Sequence, residues 1–140
     1  MSLNISARDL LDPKLPELTQ QALDEHQVPA SAICYEITES ALMEDPVKAH
    51  QTVTRLYEMG IEISIDDYGT GYSSLAYVKK LPIHELKIDR EFVKNMIDNH
   101  QDTAIVQSTI ELGHNLGLKV VAEGIESEEE LAMLKRFGCD

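Results

Sequence analysis

The sequence predicts an α/β fold and, within that class, a (β/α)8 barrel of the TIM type. Two observations carry the class. Short β-branched or apolar runs alternate with helical patterns, and no low-complexity stretch or long linker interrupts them over 140 residues. Alternation of this kind builds a parallel sheet covered by helices. A third observation selects the barrel: polar residues close the C-terminal ends of successive runs, on the face away from the helix-packing residues. An open sheet covered on both faces has no polar side, whereas a barrel mouth does.

The first strand is expected at residues 3–6, with Asn4 in it. The second, 32–38, places Cys34, Glu36 and Thr38 on one side and Ile33, Tyr35 and Ile37 on the other, because strand side chains alternate. Asp45-Pro46 reads as a helix cap with proline in the first turn, and Gly60 as the stop. The third strand, 62–66, sets Ser64 and Asp66 opposite Ile63 and Ile65. It runs into SIDDYGTGYSS, residues 64–74, where Gly69 and Gly71 allow a sharp turn. No Gly-Lys-Ser/Thr follows, so this is no P-loop. The fourth strand, Glu85–Ile88, carries Lys87. A helix over 102–116 presents Ile105, Val106, Ile110 and Leu116, with Gly117 as its end. The fifth strand, Lys119–Ala122, aligns Val121 and Glu123 opposite Val120 and Ala122. Ser127 with Glu130 forms a capping box for a last helix that ends at Gly138.

Twelve Lys and Arg against 25 Asp and Glu leave a formal charge of −13. That excludes duplex DNA and anionic membrane as partners, since both require a basic face. Surplus carboxylates such as Glu128 to Glu130 are expected on solvated helix faces. No apolar run approaches the ~20 residues of a membrane span, and no signal-peptide pattern opens the chain. Cys34 and Cys139 lack metal-ligand spacing and read as reduced thiols of a cytoplasmic protein. Met43, Met59, Met96 and Met133 read as gap-fillers between helices.

Singly, each polar residue at a strand end has a structural explanation as a turn, cap or surface charge. Together, Asn4, Glu36, Asp66, Asp67, Lys87 and Glu123 close five successive strands. Two like charges about 4 Å apart cost roughly 4 kcal/mol at an effective dielectric near 20, so four carboxylates at one mouth require protonation or cations. Oxygen donors without His or Cys favour Mg²⁺ or Mn²⁺. Adjacent Asp66 and Asp67 suit two ions, one carboxylate bridging while its neighbour holds the second. Paired ions are the recurring device of phosphoester hydrolysis. Metal-assisted chemistry next to a carbonyl is the remaining enzymatic alternative.

Four motifs sharpen this. Tyr35-Glu36-Ile37-Thr38-Glu39-Ser40, Asp66-Asp67-Tyr68-Gly69-Thr70-Gly71, Leu86-Lys87-Ile88-Asp89 and Ala122-Glu123-Gly124-Ile125-Glu126 resemble, in order and spacing, the successive signatures of the EAL domain. That family comprises bacterial cyclic di-GMP phosphodiesterases on a (β/α)8 barrel. The resemblance covers essentially the whole chain and implies hydrolysis of cyclic di-GMP to linear pGpG. It implies that Asn4, Glu36 and Asp66 bind a first metal. Asp66 would bridge to a second metal, completed by Asp67 and Glu123. Lys87 would orient the attacking water or offset phosphate charge, so Asp66, Lys87 and Glu123 are the implied catalytic residues. Glu39 would brace the glycine-containing loop, which in the family communicates with a homodimer interface. Tyr68 stands where the family usually has phenylalanine.

The Glu-Ala-Leu motif that names the family, and its last-strand Gln-Gly motif, are not in these residues. Residues 1–140 are therefore expected to be one partial domain, truncated at both ends, with about five of the eight strands. A complete barrel takes about 250 residues, so this piece alone is expected to have little activity. Its implied partners are cyclic di-GMP, a second copy, and a linked GGDEF or sensory domain. An inactive EAL-type receptor or regulatory module is the alternative from another class.

Overall fold

The computed structural model describes residues 1–69 and 75–140, with Leu75 described by its backbone alone. Among them, strands β1 (Ser2–Ile5), β2 (Cys34–Thr38), β3 (Glu62–Tyr68), β4 (Glu85–Ile88) and β5 (Lys119–Ala122) alternate with helices. The helices are α1 (Ala7–Leu10), α2 (Leu15–His26), α3 (Glu39–Glu44), α4 (Pro46–Glu58), α5 (Leu75–Val78), α6 (Arg90–Asn95), α7 (His100–Asn115) and α8 (Glu128–Phe137). The strands form one sheet in the order β1-β2-β3-β4-β5. Strand β1 pairs with β2, and β4 with β5, in parallel. A doubly wound sheet reverses its strand order at a switch point; here sequence neighbours stay sheet neighbours, the order of successive barrel strands.

Two compact units make up the chain. The first holds described residues 1–65 and 75–84, the second 66–69 and 85–140. In the first, β2 shows the expected alternation: Ile33, Tyr35 and Ile37 are buried while Cys34, Glu36 and Thr38 are half-buried. Burying Tyr35 leaves a hydroxyl to satisfy, and it pairs with Thr19 Oγ1 at 2.8 Å. Helix α4 opens as read, with the Asp45 carboxylate accepting the Lys48 N–H at 3.1 Å and Pro46 in the first turn. Its buried stripe, Ala49, Val53 and Leu56, follows the three-and-four spacing of an amphipathic helix.

The second unit packs Ile88, Val93, Met96, Val106, Ile110, Val120 and Leu134 into one core, with Met133 against its edge. Met43 and Met59 are half-buried. Helix α8 opens with the expected capping box, Ser127 Oγ accepting the Glu130 N–H at 3.2 Å. Glu130 is not solvated, however. It is 6% exposed, and its carboxylate accepts the N–H groups of Glu126 and Ser127.

Other boundaries move for local reasons. Strand β1 ends at Ile5 because Ser6 becomes the cap of α1, accepting the Asp9 N–H at 3.1 Å. Strand β2 begins at Cys34 because Ala30–Ala32 is a 3₁₀ turn. Helix α7 starts at His100 because Asn99 accepts the Gln101 N–H at 2.9 Å. Among the described residues no helix is long and apolar enough to cross a membrane.

Candidate active site

In the first unit, Asn4 and Glu36 are register partners on β1 and β2, so adjacent strands place their side chains on one face. Asn4 is exposed and Glu36 half-buried. Glu39 opens α3 and is 2% exposed, with Thr38 as the cap that accepts the Ala41 N–H. A carboxylate in a helix's first turn is favoured by the backbone dipole.

The second unit gathers Asp66, Asp67, Lys87 and Glu123. Lys87 points from the middle of a buried strand, and its side chain is 9% exposed. Its Nζ lies 2.5 Å from Glu123 Oε1 and 3.6 Å from Asp66 Oδ1. The backbone fixes this meeting. Lys87 registers with Val121 on β5, and the Glu123 N–H donates to Ile88 O at 3.3 Å, carrying the Glu123 side chain to the end of β4.

Asp67 explains how two adjacent carboxylates serve one place. In a regular strand they face opposite ways. Asp67 instead adopts φ 54°, in the left-handed region, while its N–H donates to Asp66 Oδ1 at 3.0 Å. That kink breaks the alternation. Its carboxyl pKa is raised, first by withdrawal from solvent, then by the neighbouring charges of Asp66, Asp89 and Glu123, with Lys87 opposing. The neighbouring carboxylates thus outweigh the Lys87 ammonium in their effect on Asp67.

An open cavity of about 730 Å³ adjoins this cluster, lined among others by Asp67, Asp89, Arg90, Lys94, Glu123 and Glu126. Gly124 shapes its floor: at φ 71° its missing Cβ would meet Arg90 Cβ at 2.6 Å. Asp89 and Glu126 stood in the quoted motifs without a role of their own, and Arg90 and Lys94 were not named from the sequence. The available signal was position, because Asp89 directly follows β4, as Glu123 directly follows β5. Asp89 also caps α6, its Oδ1 accepting the Glu91 N–H at 2.7 Å. Gly69 turns at φ 111°, as its place in the motif required, while Gly71 lies outside the described residues.

Among the described residues, no group of three or more His, Cys, Asp or Glu side chains closes on one point as metal ligands do. The carboxylates of Asp66 and Glu123 instead face the ammonium of Lys87.

Sequentially ordered parallel strands whose ends carry carboxylates around a buried lysine define an α/β chain of barrel type with an acidic mouth. The chain belongs to the EAL domain family, whose model matches residues 1–140. It is 42% identical over 140 residues to the bifunctional diguanylate cyclase/cyclic di-GMP phosphodiesterase MucR of Pseudomonas aeruginosa, covering 100% of this chain and 20% of that protein. A solved PaMucR phosphodiesterase in complex with c-di-GMP superposes with a TM-score of 0.95 at 42% identity, over 99% of this chain and 56% of that one. The manganese/cy-diGMP complex of BlrP1 from Klebsiella pneumoniae gives a TM-score of 0.89 at 27% identity, over 99% and 36% of the two chains. The chain spans about a fifth of the length of the curated relatives it matches.

Proposed function

We propose that the full-length protein hydrolyses one phosphodiester bond of cyclic di-GMP, giving linear pGpG. The observation that carries the reading is the buried Lys87 ammonium between Asp66 and Glu123 at the ends of three strands. The nucleotides bound to the PaMucR and BlrP1 structures support the substrate.

Carboxylate oxygens, with neither imidazole nor thiolate, are the donors that Mg²⁺ or Mn²⁺ takes. Asp66, Asp67 and Glu123 would hold the divalent ions. Asn4 and Glu36 keep, in this proposal, the ligand roles that the family resemblance implies for the full-length protein. When bound, such ions neutralise phosphate charge and make water a stronger nucleophile at neutral pH. The chain's own residues do the rest. Lys87 supplies a positive charge beside the phosphate and a donor that orients the incoming water. Water oxygen bonds to phosphorus as the bond to the departing 3′ oxygen breaks; the water gives up one proton and the 3′ oxygen gains one, leaving a 5′ phosphate monoester and a 3′ hydroxyl. MucR's name, a bifunctional diguanylate cyclase and phosphodiesterase, supports a further linked domain, of the GGDEF or sensory kind, as the covalent partner.

The test is pGpG formation by the full-length protein with Mg²⁺ or Mn²⁺ and then with chelator. Asp66→Ala is expected to lower turnover by at least about a hundredfold, the scale set by losing one group that stabilises transition-state charge. Circular dichroism should stay unchanged. Undiminished turnover in the variant or in chelator would reject the reading.

A further inference from the structure

We propose that Phe92 is a positioning residue: its ring is the wall that holds the backbone turn leaving β3, and through that turn it fixes where the Asp67 carboxylate stands. The inference rests on the phosphodiesterase reading above and adds to it a residue that acts through the backbone. The turn needs a wall. Within three residues the chain adopts two left-handed conformations, Asp67 at φ 54° and Gly69 at φ 111°. A strained backbone of this kind persists only where its surroundings over-determine it. Tyr68, between the two, is buried, so its side chain anchors the middle of the turn. Gly69 has no side chain, and its hold must come from outside. Phe92 of α6 and Ile105 of α7 supply it. A Cβ at Gly69 would stand 3.0 Å from Phe92 Cε2 and 3.5 Å from both Phe92 Cδ2 and Ile105 Cγ2, so the backbone passes directly against the ring. Phe92 is itself held in place. It packs against the core that contains Ile88, Val93 and Met96, and its N–H donates to Asp89 O at 3.2 Å, in the first turn of the helix that Asp89 caps. Helix α6 thus has two duties. Arg90, Glu91 and Lys94 line the cavity beside Asp67 and Glu123, whereas Phe92 and Val93 turn to the core. From that side the ring acts on the acidic pair only by holding the chain that carries it.

The experiment is steady-state pGpG formation by the full-length protein with Mn²⁺, for wild type, Phe92→Leu, Phe92→Tyr and Ile97→Ala, each checked for its fold by circular dichroism. Phe92→Leu keeps an apolar side chain and removes the flat wall. Its kcat is expected to fall at least about tenfold, the scale of a misplaced catalytic group. Its KM should stay within about twofold, since what is lost is made in the transition state. Phe92→Tyr keeps the ring and should return most of the loss in kcat. Ile97 packs against the same core, so Ile97→Ala loosens that core without removing the wall, and its kcat should stay at the wild-type level. An unchanged kcat in Phe92→Leu, an equal fall in Ile97→Ala, or no return in Phe92→Tyr overturns the proposal and leaves the phosphodiesterase reading standing. A wild type that forms no pGpG defeats that reading and the proposal with it. A second arm needs no variant: in wild type labelled with ¹³C-glycine, the ring should shift the Gly69 Hα resonances away from the ordinary glycine position. Resonances at the ordinary position overturn the proposal even where Phe92→Leu fails to fold.

Discussion

At the scale of single residues, the site depends on two backbone conformations that side-chain chemistry alone does not announce. Asp67 sits at φ 54°, a region that costs a non-glycine residue about 1 kcal/mol and that aspartate tolerates better than most. The cost is offset locally by the bond from its own N–H to Asp66. Gly124 is the stricter case. It follows Glu123, turns at φ 71°, and has no room for a Cβ against Arg90. Gly124→Ala is therefore expected to shift Glu123 away from Lys87, through both the left-handed strain and the overlap with α6. Turnover should fall at least about tenfold, the scale of a misplaced catalytic group. Circular dichroism should report retained helix, and a turnover assay beside it checks the split. A variant with full activity would show that this turn does not position Glu123.

At the scale of elements, helix α7 lies unusually close to β5. A Cβ at Gly113 would meet Val120 Cγ2 at 2.2 Å, and Val120 is fully buried in the second unit's core. Gly113→Ala gains helix propensity but overpacks this contact, and overpacking typically costs about 1–3 kcal/mol. The urea midpoint should fall accordingly. Adding Val120→Ala should return part of the loss, since the two sites share one contact and are not additive.

Legibility divides along the same lines. Strands β4 and β5, the Asp45-Pro46 start of α4 and the Ser127–Glu130 box could be read directly, because caps and short apolar runs are local chemistry. Asn4, Glu36, Asp66 and Lys87 could be read as strand residues for the same reason, and Glu123 as the residue just past β5. The start of β2 was misjudged, because a 3₁₀ turn and a strand both accept Ala30-Ser31-Ala32. The kink at Asp67 and the burial of Lys87 were out of reach, because both depend on what neighbouring strands bring alongside. Asp89 was passed over as part of a motif, although its place after β4 matched that of Glu123 after β5.

At the scale of the whole molecule, a charge of −13 makes acid response informative, and three carboxyls pull it in opposite directions. Glu130 is held below its ordinary value of 4.5, first by the Glu126 N–H and then by Ser127, against the effect of burial. Asp140 is lowered by the Val120 N–H and then by His114, again against burial. A carboxyl lowered on folding stabilises fully above its unfolded value, and that contribution disappears as pH falls through the folded one. Asp67 runs the other way. Its raised pKa favours the fold most below 3.8, and the contribution is lost as pH climbs through the folded value. The cleanest measurement is on Glu130, whose carboxylate accepts the Glu126 and Ser127 N–H groups at the start of α8. Wild type and Glu130→Gln should differ in urea midpoint at pH 7, and the gap should narrow as pH drops below about 4.5, closing once the wild-type carboxyl is protonated. A gap that stays constant from pH 7 to pH 3 would mean that the amide fails by its shape and not by its missing charge. The capping box would then owe nothing to the carboxylate.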